Sequence, residues 1–284
     1  MIGPPEALRG EPEKSAWVDW NEAWKAARAR AARRGGSEAW DRRAPSFARH
    51  PGRSGYVEKM LSLIDAGPSW SVLDVGCGSG ALALPLARKV RSVIALDFSP
   101  RMLDILRGRC VEQGLGNVQT VLGAWEDDWE KLGIGACDLA LASRSLIVED
   151  LRGALLKLHR AARRQVILTQ PVGTGPIDPR IFAAAGRTHV SGPDYLYPLN
   201  MLRQLGIRAR LDFIPVAQAH RFASVGEALD GLAWMLPDPS PAELERLRDW
   251  LQQELVPVAG GLELLPAHSV CWAVLSWSKQ GPAA

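Results

Sequence analysis

Gly76, Gly78 and Gly80 alternate through the segment VLDVGCGSGALALPLA, with Cys77 and Ser79 between them and Asp74 just upstream. Glycines at this spacing let a chain turn sharply and leave its amides uncovered by any Cβ, so a ligand can rest on the main chain itself. The apolar run before the loop and the helical pattern after it make this a strand, cradle and helix in series. One unit further on, Asp97 ends the next apolar run, SVIALD. A carboxylate at that place accepts hydrogen bonds from both hydroxyls of a ribose. Loop and acid together point to a nucleoside ligand. A dinucleotide would call for GxGxxG, whose third glycine lets the helix pack closely on its strand, and no GK[ST] supplies the lysine of a phosphate-binding loop.

These residues need elements to hold them. From Tyr56 onward the chain alternates apolar runs with helical patterns, the order that builds a parallel sheet covered on both faces. The predicted strands are 71–75, 92–97, 118–122, 138–142 and 165–170. The predicted helices are ALALPLARKV, PRMLDILRGRCVEQG and LRGALLKLHRAARR. Further along, 207–220 and 269–278 have the β-branched and aromatic content of strands and suit an antiparallel sheet edge. Between them SVGEALDGLAWML and SPAELERLRDWLQQELV predict two helices, the second opened by a Ser N-cap, a Pro and a Glu three residues after the cap. At the other end, Trp17, Trp20 and Trp24 fall on one face of a helix that runs to the Gly35-Gly36 break. A short helical turn and a loop follow it. The resulting expectation is a loose leader over 1–15, a helical cap over 16–55, and a domain over 56–284. That domain has a core at 56–171, substrate-side loops and a helical insertion at 172–268, and a final strand at 269–278.

The motifs resemble those of the class I S-adenosylmethionine-dependent methyltransferases, in particular the type 11/12 group that acts on small molecules. VLDVGCGSGALALPLA is similar to that family's first motif, ALDFSPRMLDIL to its ribose motif, GNVQTVLGAWEDDW to its adenine motif and CDLALASRSLIVEDL to its fourth-strand motif. The resemblance covers 56–171. It implies an α/β fold with a doubly wound, mostly parallel seven-stranded sheet, and S-adenosyl-L-methionine as cofactor. Carried across position by position, Gly76, Cys77, Gly78 and Gly80 would line the methionine part of the cofactor, with Asp74 anchoring its amino group. Asp97 would hold the ribose, and Phe98 and Met102 would flank the adenine, with Ser143 beside the cofactor at the end of the fourth strand. The family often has Asp after the glycine of the adenine motif, whereas Ala124 follows Gly123 here. Adenine contact would then come from the backbone at Ala124 and Trp125, or from Glu126 or Asp127.

Methyl transfer from a sulfonium is an in-line displacement that needs alignment and exclusion of water rather than a catalytic triad or a metal. Acceptor groups should project over the carboxyl ends of the strands. The candidates there are Ser143 and Arg144, the loop PVGTGPIDPR, Tyr195 in THVSGPDYLYP, and Trp17, Trp20 and Tyr56 from the cap. Arg144 suits a carboxylate or phosphate on the acceptor, and equally a sheet edge or helix end. His189 and His220 are candidate general bases. The indoles suit either packing of a covering helix or contact with substrate. The fourth strand is followed by ASRS rather than the [DN]PP[YFW] that resemblance associates with nucleobase amine methylation. A small-molecule acceptor is therefore the expectation. The alternatives are RNA or protein held by the basic segment Lys25–Arg53, which includes Trp40 and Phe47, and a non-catalytic cofactor-binding assembly protein.

Composition narrows the setting. The chain of 284 residues is 47% hydrophobic and 23% charged with a formal net charge of +3, enough to bury a core and too balanced to name a polyanionic partner. Cysteines at 77, 110, 137 and 271 form no CxxC pair. No apolar run approaches the ~18 residues of a membrane span, and MIGPPEALRGEPEKS has no signal-peptide pattern. No membrane partner and a cytoplasmic setting are the expectations.

Overall fold

The computed structural model describes residues 18–31, 55–217 and 221–279. Seven strands make the main sheet: β1 (Ser71–Val75), β2 (Ser92–Asp97), β3 (Val118–Leu122), β4 (Cys137–Ser143), β5 (Ala162–Pro171), β6 (Arg210–Ala217) and β10 (Ser269–Ser278). Their order is β3-β2-β1-β4-β5-β10-β6. The first five are parallel, and β10 runs antiparallel between β5 and β6. The order reverses at β1 and β4, and at such a switch point the two outgoing loops diverge and open a crevice at the carboxyl ends.

Residue alternation along each strand divides the core in two. Leu73 and Val75 of β1, Ala140 and Ala142 of β4 and Leu168 of β5 face one side. Val72, Leu139, Leu141 and Ile167 face the other. The first side is covered by α1 (Trp20–Ala31), α5 (Leu151–Ala161) and α7 (Leu196–Gln204), through Trp24, Leu155 and Met201. The second is covered by α2 (Gly55–Ser62), α3 (Ala83–Ala87) and α4 (Pro100–Glu112), through Tyr56, Leu86 and Leu103. Strands buried on both faces are mostly apolar, and for that reason SVLDV and CDLALAS read as near-continuous apolar runs interrupted by Asp74 and Asp138. Helix starts are fixed locally. Ser99 accepts the Met102 amide at 3.1 Å to open α4, and Asp150 accepts the Gly153 amide at 3.0 Å to open α5. At the amino ends of the strands, Asp138 accepts from the amide and hydroxyl of Ser71 at 2.8 and 3.0 Å, tying β4 to β1 away from the crevice.

The insertion departs from its sequence reading. Besides α6 (Pro179–Ala184), α8 (Val225–Leu232) and α9 (Pro241–Glu254), it holds a three-stranded antiparallel sheet, β7 (Arg221–Phe222), β9 (Gly261–Leu264) and β8 (Leu255–Val258) in that order. The segment read as one helix through Val256 leaves helical geometry at Leu255, where ψ is 125°. The Ser240 capping box that opens α9 is present as read. Pro257 in β8 and the brevity of β7 hide these strands from a pattern reading. The hairpin turn between β8 and β9 is made by Ala259 and Gly260, whose φ is +89°. Ile181, Phe182, Phe222, Leu229, Leu247, Leu251 and Leu264 form a third core within this insertion. Among the described residues no helix is long and apolar enough to cross a membrane.

Candidate active site

The glycine loop turns out of β1 with φ of +70° at Gly76, +54° at Gly78 and +89° at Gly80. Its amides are largely spent on holding the turn. Gly76 and Cys77 both donate to the Leu96 carbonyl, at 2.7 and 3.0 Å, and Gly80 donates to the Cys77 carbonyl at 3.0 Å. The sequence reading of amides freely offered to a ligand along the whole loop is thereby corrected: a tight turn beside β2 consumes its own donors first. Gly78 donates to Asp97 Oδ2 at 2.8 Å, so the loop and the acid at the end of β2 meet in one crevice. Asp97 is 5% exposed and its Oδ1 accepts the Ser99 amide at 2.9 Å. The two glycines differ in what surrounds them. A Cβ on Gly76 would lie 2.3 Å from Ser145 Cβ, whereas a Cβ on Gly78 would meet nothing within 4 Å. Space therefore opens over Gly78.

Asp74 stands beneath the loop, 2% exposed. Burial first, and then the neighbouring Asp97 carboxylate, push its carboxyl up to about 7, against the partial relief of the Ala83 amide. Burial likewise raises the Cys77 thiol well above its ordinary range, with Asp74 and Asp97 adding to it, so the thiol stays protonated. Arg109 of α4 braces the loop from outside, Nη1 donating to Ser79 O and Oγ, each at 2.9 Å. Phe98 is half-buried next to Asp97, and Met102 is buried in the first turn of α4.

The loop after β3 is closed on itself. Ala124 donates its amide to Asp127 Oδ2 at 2.8 Å and its carbonyl accepts Trp129 Nε1 at 3.1 Å. Lys157 of α5 donates to the Trp125 and Asp127 carbonyls and lies over the Trp129 ring. Trp125 Nε1 donates to Ser145 O at 2.9 Å, and Ser145 Oγ donates to Val75 O. One side chain thus links the loop after β3 to the loop after β4, which lies over the glycine turn.

A second cluster sits beyond the carboxyl ends of β4 and β5 and the amino end of β10. Tyr56 of α2, 1% exposed, shares hydrogen bonds with Ser143 Oγ at 2.6 Å and Thr169 Oγ1 at 3.0 Å. Thr169 Oγ1 also accepts the Arg144 amide at 2.9 Å. Trp272 of β10 meets Tyr56 edge to face at 6.0 Å. The sequence reading chose Ser143, Arg144 and Tyr56 and missed Thr169, Trp272 and Ser145. A polar residue closing the apolar run VILT was the legible signal for Thr169, and the antiparallel return of β10 that delivers Trp272 was not.

The remaining described candidates make other contacts. Trp24 is 1% exposed and donates Nε1 to Val148 O at 2.8 Å, and Trp20 meets Tyr197 edge to face at 5.6 Å; both belong to the packing of α1. Tyr195 packs edge to face on Phe213 at 5.5 Å, with its amide on Pro171 O. His189 packs at a tilt against Phe182 of the insertion, ring centres 4.7 Å apart, and lines a cavity of about 160 Å³ with Arg30, Thr188 and Pro237. Trp17, His220, Trp40, Phe47 and the basic segment beyond Ala31 lie outside the described residues.

Comparison with known proteins adds to this geometry. Residues 72–165 match the family described as "Methyltransferase domain". The chain is 33% identical over 245 residues to an uncharacterized protein of Haemophilus influenzae, covering 84% of this chain and 88% of that one. It is 32% identical over 130 residues to a nocamycin O-methyltransferase of Saccharothrix syringae, covering 43% of this chain and 44% of that one. The fold is similar to that of a putative methyltransferase from Bacillus halodurans, with a TM-score of 0.55 at 15% identity over 79% of this chain and 99% of that one. Sheet order, glycine turn and strand-end acid define a Rossmann-like methyltransferase. Residues 72–165 of the chain belong to the methyltransferase domain family, and the whole has the class I methyltransferase fold.

Proposed function

We propose that this protein transfers a methyl group from S-adenosyl-L-methionine to a small-molecule acceptor lodged over the carboxyl ends of β4 and β5, beside the amino end of β10. The observation that carries the reading is the Gly78 amide on Asp97 Oδ2 beside open space, which puts the turn and the strand-end acid on one ligand site. The residues fit the cofactor's chemistry. Among the described residues no cation pairs with Asp74, so a ligand with an ammonium group balances a buried acid pair, and Asp97 stands where ribose hydroxyls need acceptors. Gly76, Cys77, Gly78 and Gly80 would line its methionine part, and Phe98, Met102, Ala124 and Trp125 would surround its adenine.

When bound, the cofactor supplies an electrophilic methyl group on a sulfonium. The chain's part is positional. Ser145 over Gly76 limits water at the turn, and Ser143 with Tyr56 and Thr169 offers hydroxyls that orient a polar acceptor. Effective molarities of about 10⁵ M or more can come from such alignment alone. The relative named as a nocamycin O-methyltransferase supports an oxygen acceptor.

Calorimetry with S-adenosylhomocysteine tests the cofactor half, with saturable binding expected and its absence overturning the proposal. Gly78→Ala separates site from fold. Its Cβ clashes with nothing and costs only the left-handed backbone, about 1 kcal/mol, yet it fills the open space. Folding should persist while affinity falls at least about tenfold. Transfer of labelled methyl across a panel of small acids, phenols and alcohols tests the acceptor half; label found only in RNA or protein would refute a small-molecule role.

A further inference from the structure

Arg144 follows β4 directly, and its φ is +58°, a left-handed conformation uncommon for a residue other than glycine. The guanidinium is exposed, 4.4 Å from the centre of the Tyr56 ring and 5.7 Å from that of Trp272. Among the described residues no carboxylate pairs with it and its side chain donates no hydrogen bond. Other arginines of this chain are spent on structure. Arg180 holds Asp178 at 2.7 Å and Arg187 holds Glu243 at 2.6 Å.

Cation–π attraction to the rings of Tyr56 and Trp272 anchors the guanidinium, while its nitrogens keep their donors. A planar fork presented in this way matches the paired oxygens of a carboxylate or phosphate. Its place is also specific. The Arg144 amide is tied to Thr169 Oγ1, Ser143 on one side belongs to the hydroxyl cluster, and Ser145 on the other lies over Gly76. An anion held here is seated between the two halves of the candidate site.

We propose that Arg144 is the counter-ion of the methyl acceptor and that the acceptor is a small oxyanion, a carboxylate or a phosphate ester, whose flat part lies beside Tyr56 and Trp272. This rests on the methyl-transfer reading above and names its substrate class. The test uses the full chain, titrated by calorimetry with benzoate, phenyl phosphate and neutral benzamide, each with and without S-adenosylhomocysteine. Either oxyanion should bind at least about tenfold more tightly than benzamide, and the tighter of the two tells carboxylate from phosphate. Arg144→Gln should erase that preference and Arg144→Lys should restore part of it, with S-adenosylhomocysteine affinity within about twofold of the wild type in both. Equal binding of charged and neutral probes, no saturable oxyanion binding at millimolar concentration, or a preference that survives Arg144→Gln would overturn the proposal. A wild-type chain that fails to bind S-adenosylhomocysteine counts against the methyl-transfer reading, while the titrations without it still decide the role of Arg144.

Discussion

Asp74 shows how one residue ties stability to ligand binding. Its carboxyl titrates near 7 in the fold against 3.8 for an ordinary aspartate, because burial and Asp97 both oppose its charge. The folded chain keeps this proton between pH 4 and 7, where the unfolded chain has lost it, so stability falls as pH rises through that window and levels off above it. The span corresponds to roughly 4 kcal/mol at most. A cationic ligand reverses the preference by favouring the ionised carboxylate. S-adenosylhomocysteine should therefore bind more tightly at pH 8 than at pH 6, releasing a proton that calorimetry in buffers of different ionisation enthalpy would register. Asp74→Asn keeps an acceptor for the Ala83 amide and should flatten both profiles. An unchanged pH dependence in that variant would place the titrating group elsewhere.

At the scale of elements, α1 does more than cover the sheet. Trp24 donates to Val148 O, and Asn21 Oδ1 accepts the Arg152 amide at 2.9 Å, so one helix holds the loop after β4 and the start of α5. That loop begins with Arg144 and Ser145. Trp24→Phe keeps an aromatic ring and leaves the Val148 carbonyl without its donor, a loss of about 1–3 kcal/mol. Amide exchange over 144–150 should speed up while S-adenosylhomocysteine affinity stays within about twofold. Unaltered protection there would leave α1 as a cover and nothing more. The helix itself was legible, since its indoles recur at helical spacing, but their task was not. Spacing gives the face a side chain occupies, not the distant carbonyl it meets. The half of the candidate site proposed for the cofactor was legible as a constellation for a related reason: turn, acid and helix N-terminus follow one another closely in the chain. The acceptor half brings α2, β4, β5 and β10 together from distant positions, and so Thr169 and Trp272 emerge only in three dimensions.

Taken whole, the molecule divides its labour along the sheet and beyond it. In the proposed reading, the cofactor side is built from β1, β2, β3 and their turns, and the acceptor side from β4, β5, β10 and α2. The insertion between β6 and β10, together with α6 from before β6, forms a separate core in which Leu247 and Leu251 of α9 are fully buried. That core shares no residue with the two cores of the sheet. A unit with separate packing can open without unfolding its host. Leu247→Ala removes a buried side chain from α9 and should cost about 2–5 kcal/mol locally. Hydrogen exchange should then show protection lost from α8, α9 and the β7-β9-β8 sheet, while β1, β4 and β5 remain protected and S-adenosylhomocysteine still binds. If β4 and β5 lost protection to the same extent, insertion and sheet would form one cooperative unit, and changes in the insertion would reach the site through stability alone.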